Sequence, residues 1–252
     1  MSFYNADFLT HHSQSIVNFY TERAVDNDLG GYYQNYLDDG TLFNTGFRQL
    51  VSSTRMVINF CRAAKHFKNN EYLNFAKHGL NYIETHHWIA KTKQYAWTLD
   101  DNQPQDMTQQ AYGYAFVLLC YAHCYKAGVI SSDRKINETF ELLESRFWQA
   151  NEGIYADTIY ANGELCEYRG QNANMHTCEA LIAAYEATKD EIFLNRALTL
   201  ADNMVNRQAN LMGGLIWEHY DINWQVDLEY NKDDPKNLFR PWGFQPGHQT
   251  EW

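Results

Sequence analysis

The chain has 252 residues, 45% hydrophobic and 20% charged, which fits a globular protein with a substantial core and excludes a disordered one. Its 31 Asp+Glu against 20 Lys+Arg give a formal net charge of −11. Without a basic cluster, that balance argues against a nucleic-acid partner and a polyanionic substrate. Apolar residues at i, i+3, i+4 spacing predict helices over residues 8–24, 50–67, 71–86, 107–127, 133–148, 175–188 and 191–208. No long stretch alternates with period two, so a large sheet is not expected. The longest apolar run, 114–122, is too short to span a bilayer, and the N-terminus lacks a secretory pattern. No membrane partner is therefore expected, and the cytoplasm is the expected compartment. The five cysteines form no CxxC pair and are expected as reduced core residues.

Two kinds of link join the helices. Lys68-Asn69-Asn70 and Thr188-Lys189-Asp190 are tight turns. The longer links are rich in rings: Gly30-Gly31-Tyr32-Tyr33, Gln94-Tyr95-Ala96-Trp97, Glu152-Gly153-Ile154-Tyr155 and Gly213-Gly214-Leu215-Ile216-Trp217. The first and third are followed by Asp38-Asp39-Gly40 and Ala161-Asn162-Gly163, which read as hairpin turns. From Gly31 to Tyr95 to Gly153 to Gly214 the steps are 64, 58 and 61 residues. A period of about 60 residues marks a repeat of hairpin, helix, tight turn and returning helix. Such pairs bury their faces by stacking, either in a closed (α/α) barrel or in an open solenoid. The helices after the hairpins, starting near Gln49, Asp106, Asn172 and Gly247, would then bring their N-terminal ends to one mouth. Aromatics make up 15% of the chain and prolines number four. Rings on a mostly helical frame fit either a ring-rich core or a pocket for the apolar face of a sugar.

The converging ends carry the least core-like residues: Arg55, Tyr112, the run Arg169-Gly170-Gln171-Asn172-Ala173-Asn174-Met175-His176, and the final run from Phe239 to Trp252. His176 is followed three residues on by Glu179, and His248 by Glu251. Residues at i and i+3 share a helix face, and a carboxylate there raises and orients an imidazole for proton transfer. The bland alternatives are a structural ion pair for Arg55, a core ring for Tyr112 and ordinary helix-surface pairs for the histidines. His11-His12 and His86-His87 are adjacent pairs that point to different helix faces and make poor metal sites. No HExxH, phosphate loop or GxSxG motif is present.

The stretches RGQNANMHTCEALIAAYEAT, LFRPWGFQPGHQTEW and QLVSSTRMV resemble the N-acylglucosamine 2-epimerase superfamily, with a likeness to its mannose and sulfoquinovose isomerases along the whole chain. The resemblance implies an all-α (α/α)6 barrel, here about four of six helix pairs, with residues 1–252 forming one barrel domain. It implies a monosaccharide substrate, no cofactor, no metal, and proton transfer between C1 and C2 of an open-chain sugar through a cis-enediolate. His248 matches one of two catalytic histidines. Arg55, Tyr112, Asn172, His176 and Glu251 match positions that hold sugar hydroxyls or the reacting oxygens. Tyr114 stands where the family often has His, a change read as lying behind the site. Family members run to about 400 residues, and no residue here matches the second histidine, so the 252-residue stretch is expected to be an N-terminal fragment, inactive alone. A sugar 2-epimerase and a non-catalytic carbohydrate-binding remnant are the alternatives.

Overall fold

The computed structural model describes residues 4–252. Half of the chain is helical, and the strands are two to four residues long. No described helix is long and apolar enough to cross a membrane. The chain divides into two compact units, Met1–Asp106 and Met107–Trp252.

In the first unit, α1 (Ala6–Arg23) starts at Asn5, whose Oδ1 accepts from the Phe8 N–H at 3.0 Å, an N-cap that satisfies one orphan donor. None of its residues is buried. The predicted hairpin follows: Val25 bridges Tyr32, Tyr36 bridges Leu42, and the chain reverses through Asp38-Asp39-Gly40 with Gly40 at φ 84°. β1 (Arg48–Gln49) leads into α2 (Leu50–Phe67), whose bounds are those predicted from spacing. Lys68 at φ 52° ends α2, and α3 (Tyr72–Tyr82) returns along it before widening into a π turn over Ile83–His87. Tyr32, fully buried, lies against Gly79, where a Cβ would stand 2.3 Å from the ring. Only glycine lets α3 pass this close.

β2 (Trp88–Ile89) pairs with β3 (Gln94–Tyr95). β4 (Thr98–Asp100) turns into β5 (Gln103–Asp106) through Asp101 and Asn102, both at positive φ, the geometry of a type I′ hairpin. β4 also pairs with β1, giving a three-stranded sheet. Beneath it, Arg48 Nη2 meets Asp26 Oδ2 at 2.6 Å, each side chain 1% exposed.

In the second unit, β6 (Gln109–Gln110) precedes α4 (Ala111–Lys126), and α5 (Arg134–Arg146) returns along α4. α4 is buried almost throughout, the mark of a helix covered all round. α5 buries Ile136, Thr139, Phe140 and Leu143, the single stripe of a helix with one face in water. β7 (Trp148–Gln149) and β8 (Ile154–Tyr155) form a hairpin, then come β9 (Thr158–Ile159) and β10 (Arg169–Gly170). α6 (Gln171–Thr188) packs along α4, and α7 (Glu191–Ala201), prolonged by a π turn over Asp202–Gln208, packs along α6. β11 (His219–Tyr220) pairs with β10, and α8 (Pro246–Glu251) packs on α6. The alternation of helices after hairpins (α2, α4, α6) with returning helices (α3, α5, α7) is the repeat predicted from the 60-residue period; α4 is buried almost throughout, while α2 leaves Arg55, Asn59, Arg62 and His66 exposed along one face.

Three predicted boundaries are corrected. α4 begins at Ala111, not near Asp106, because Gln109 and Gln110 pair with Ile159 and Thr158. The fifth helix stops at Arg146, because Trp148 pairs with Tyr155. α6 begins at Gln171, beside the start expected near Asn172 and four residues before the apolar spacing that opens at Met175, because its polar first turn is held by partners from other elements.

Candidate active site

β10 and β11 build the site's floor. Their antiparallel pairing extends one step into α6, where the Gln171 N–H donates to the Glu218 carbonyl at 3.2 Å. Glu218 is thereby set over the first turn of α6, 4% exposed. α8 is fastened from the other side: Gln249 Nε2 donates to the Ile216 carbonyl at 2.7 Å, and its Oε1 accepts from the Ile216 N–H at 3.1 Å. That clamp brings His248, one residue earlier, onto the carboxylate. His248 Nδ1 lies 3.0 Å from both Glu218 oxygens. Gln171 Nε2 donates to Glu218 Oε2 at 2.9 Å and lies 2.7 Å from the same imidazole nitrogen. Trp252 Nε1 donates to Gln171 Oε1 at 2.6 Å.

The hydrogen bond to Glu218 raises the His248 pKa above its ordinary value against the opposing effect of burial, with the charges of Glu218 and Glu251 adding to the rise. The expectation that Glu251 raises His248 holds through its charge, and the expectation that it orients the ring is corrected. Glu251 is exposed and acts through its charge, while Glu218, 30 residues upstream, holds the ring. No helical spacing links Glu218 to His248, so apolar and charge periodicity do not pair them. The signal available was its place after the ring-rich fourth link.

On α6, His176 pairs with Glu179 through Nδ1 and Oε2 at 3.1 Å, the i, i+3 contact read from sequence. Tyr112 and Phe116 of α4 cover its ring at centroid distances of 5.2 and 4.9 Å. Tyr112 is half-buried, so it serves as neither a plain core ring nor a free one. The Asn172 Oδ1 is buried without a hydrogen-bond partner. Buried acceptors are nearly always satisfied, so this oxygen has spare hydrogen-bonding capacity. Tyr114 is fully buried and donates to Gln109 Oε1 at 3.1 Å, with Arg146 on its hydroxyl. Arg55 stands exposed on α2 in the first unit. Among the described residues no group of three or more His, Cys, Asp and Glu is set to hold a metal ion, and all five cysteines are buried.

A second cluster anchors the approach to α6 and α8. The Gly170 N–H donates to Asp157 Oδ2 at 2.7 Å. Tyr168 packs under the Arg240 guanidinium at 3.8 Å and is 3.0 Å from His219 Nδ1, while His219 Nε2 meets the Pro241 carbonyl at 2.8 Å. Burial pushes the Asp157 carboxyl up to about 7. The folded state then keeps a proton that the unfolded chain releases near the ordinary value, so this group's stabilising contribution is lost as pH rises from about 4 to about 7. Asp157→Asn keeps the acceptor for Gly170 and removes the titration. The Tm of the variant relative to wild type is expected to rise between about pH 5 and about pH 8. A constant difference across that range would contradict the assignment.

Residues 31–252 match the family model of N-acylglucosamine 2-epimerase (GlcNAc 2-epimerase), and the chain belongs to that family. It is 43% identical over 253 residues to a D-mannose isomerase of Marinomonas mediterranea, covering 100% of this chain and 64% of that relative. A crystal structure of a D-mannose isomerase superposes with a TM-score of 0.95 at 43% identity, again over 100% of this chain and 64% of the other. The cellobiose 2-epimerase from Bacillus thermoamylovorans B4167 shares the fold, with a TM-score of 0.76 at 17% identity over 88% of this chain and 62% of that one. The chain thus spans just under two thirds of the length of these relatives.

Proposed function

We propose that the whole protein is an aldose–ketose isomerase of the mannose–fructose type, working without a cofactor by proton transfer between C1 and C2 of an open-chain sugar. The observation that carries this reading is His248, held by a buried carboxylate at the start of a helix, in a chain 43% identical throughout to a D-mannose isomerase. A proton α to a carbonyl is weakly acidic, so the reaction needs a positioned base and a donor or cation for the developing enediolate oxygen. His248 is the proton-carrying group. Arg55 supplies a fixed positive charge, His176 a ring donor, and Asn172, Tyr112 and Glu251 the contacts that orient the hydroxyls. The (α/α)6 barrel of the family is the fold expected of the whole protein in this reading.

A monosaccharide is the substrate. Incubation of the whole protein with mannose is expected to yield fructose, followed by chromatography of the products. Glucose as the sole product would make it a 2-epimerase, and binding without turnover would make it a carbohydrate-binding protein. Residues 1–252 alone are expected to bind without isomerising, since the second family histidine has no match among them.

A further inference from the structure

We propose that Glu218 is the positioning residue that keeps the proton of neutral His248 on Nδ1, so that Nε2 is the nitrogen that exchanges a proton with substrate, and that Trp252 and Gln171 hold Glu218 to this task. The inference rests on His248 being the proton carrier, and it concerns which nitrogen acts and what decides it.

An indole N–H can only donate. The Trp252 bond at 2.6 Å therefore fixes the Gln171 side-chain oxygen toward Trp252, and its NH2 group toward Glu218. Glu218, nearly fully buried, receives one N–H from Gln171 on Oε2. Its remaining capacity points at His248 Nδ1, equidistant from both oxygens at 3.0 Å. Two arrangements compete at Nδ1. It can donate to the carboxylate, or it can accept from Gln171 Nε2, which lies 2.7 Å away. A bond to an ionised acceptor is about twice as strong as a neutral one, and a buried carboxylate left short of donors is costly. The donor arrangement wins. A ring whose Nδ1–H is tied to a carboxylate presents a basic Nε2.

The charged groups acting on His248 are Glu218 and Glu251, and Glu218 is the one within hydrogen-bond reach. Glu218→Gln leaves a side chain of the same size that still accepts from Gln171. It removes the charge, and so lowers the imidazole pKa and weakens the preference for Nδ1–H.

The test is nitrogen NMR of the chain with ring-labelled histidine, the His248 signals being assigned by their loss in His248→Gln. In wild type the neutral ring is expected as the Nδ1–H tautomer. In Glu218→Gln the pKa is expected to fall and the second tautomer to appear, with Glu218→Asp in between. In the whole protein the acid limb of the kcat/KM profile moves to lower pH with the same displacement. A wild-type ring that is predominantly Nε2–H overturns the proposal whether or not the variant folds, as does a folded Glu218→Gln with unchanged pKa and tautomer. If the NMR shifts appear but mannose is not isomerised, the functional reading fails and the positioning role stands. If isomerisation is present and the shifts are absent, the reverse holds.

Discussion

Replacing His248 with alanine in the whole protein is expected to lower kcat for mannose-to-fructose conversion by about 10²–10⁴-fold, the usual contribution of a positioned acid–base group. KM is expected to change far less, because in the proposed mechanism the ring acts on the reacting proton and not on the bulk of sugar binding. The alanine variant also strips a partner from Glu218, a carboxylate 4% exposed, and an unsatisfied buried acceptor costs about 1–3 kcal/mol. His248→Asn, which keeps a donor within reach of that carboxylate, separates the two effects. It should fold more stably than the alanine variant and show the same loss of turnover. An unchanged kcat in both would take His248 out of the mechanism.

The largest effect on stability is expected from Asp26→Ala. Asp26 and Arg48 face each other at 2.6 Å with side chains 1% exposed. Arg48 also donates to the Phe47 carbonyl at 2.9 Å, while its Nε has no hydrogen-bond partner. Asp26 Oδ1 accepts from the N–H groups of Asp28 and Leu29 at 2.9 and 3.0 Å. Removing the carboxylate leaves a guanidinium buried without its counter-charge and two turn donors unpaired. Breaking a buried pair from one side costs about 3–5 kcal/mol, readable by chemical denaturation. Removing both charges together, as Asp26→Leu with Arg48→Met, is expected to recover the part of that loss owed to the uncompensated guanidinium and not the part owed to the two turn donors. A single-variant loss under about 1 kcal/mol would show that water reaches Arg48 and that the pair is not sealed.

The fold was legible where the physics is local. α2 was bounded by the spacing of its apolar residues, and α7 with its π turn spans the predicted 191–208. The turn at Asp38-Asp39-Gly40 follows from a glycine at positive φ and an Asp that accepts from its neighbour's N–H, at 2.8 Å to Thr41. The remaining elements depend on partners distant in the chain. Gln109 and Gln110 look like a helix start and become a strand because Thr158 and Ile159 lie beside them. The polar opening of α6 lacks apolar spacing and is helix, starting beside the expected Asn172, since Gln171 and Asn174 find their partners at Glu218 and Tyr155. The same distinction runs through the candidate site. His176 with Glu179 is a same-face pair that spacing reveals. His248 with Glu218 is a pairing made by two strands and a clamp, and spacing offered Glu251 in its place.

The amide clamps bear on how the repeats hold together. Gln249 saturates both main-chain groups of Ile216, and Asn174 does the same for Tyr155, accepting its N–H at 2.8 Å and donating to its carbonyl at 2.9 Å. Each side chain stands in for a missing strand, supplied by the first turn of the helix that follows. The hairpin of one repeat therefore has a complete set of backbone partners only once the next helix has begun to form. Each clamp ties a hairpin to the first turn of its own repeat's helix, so the two form one unit, and a cut between them would orphan an N–H and a C=O on the same residue.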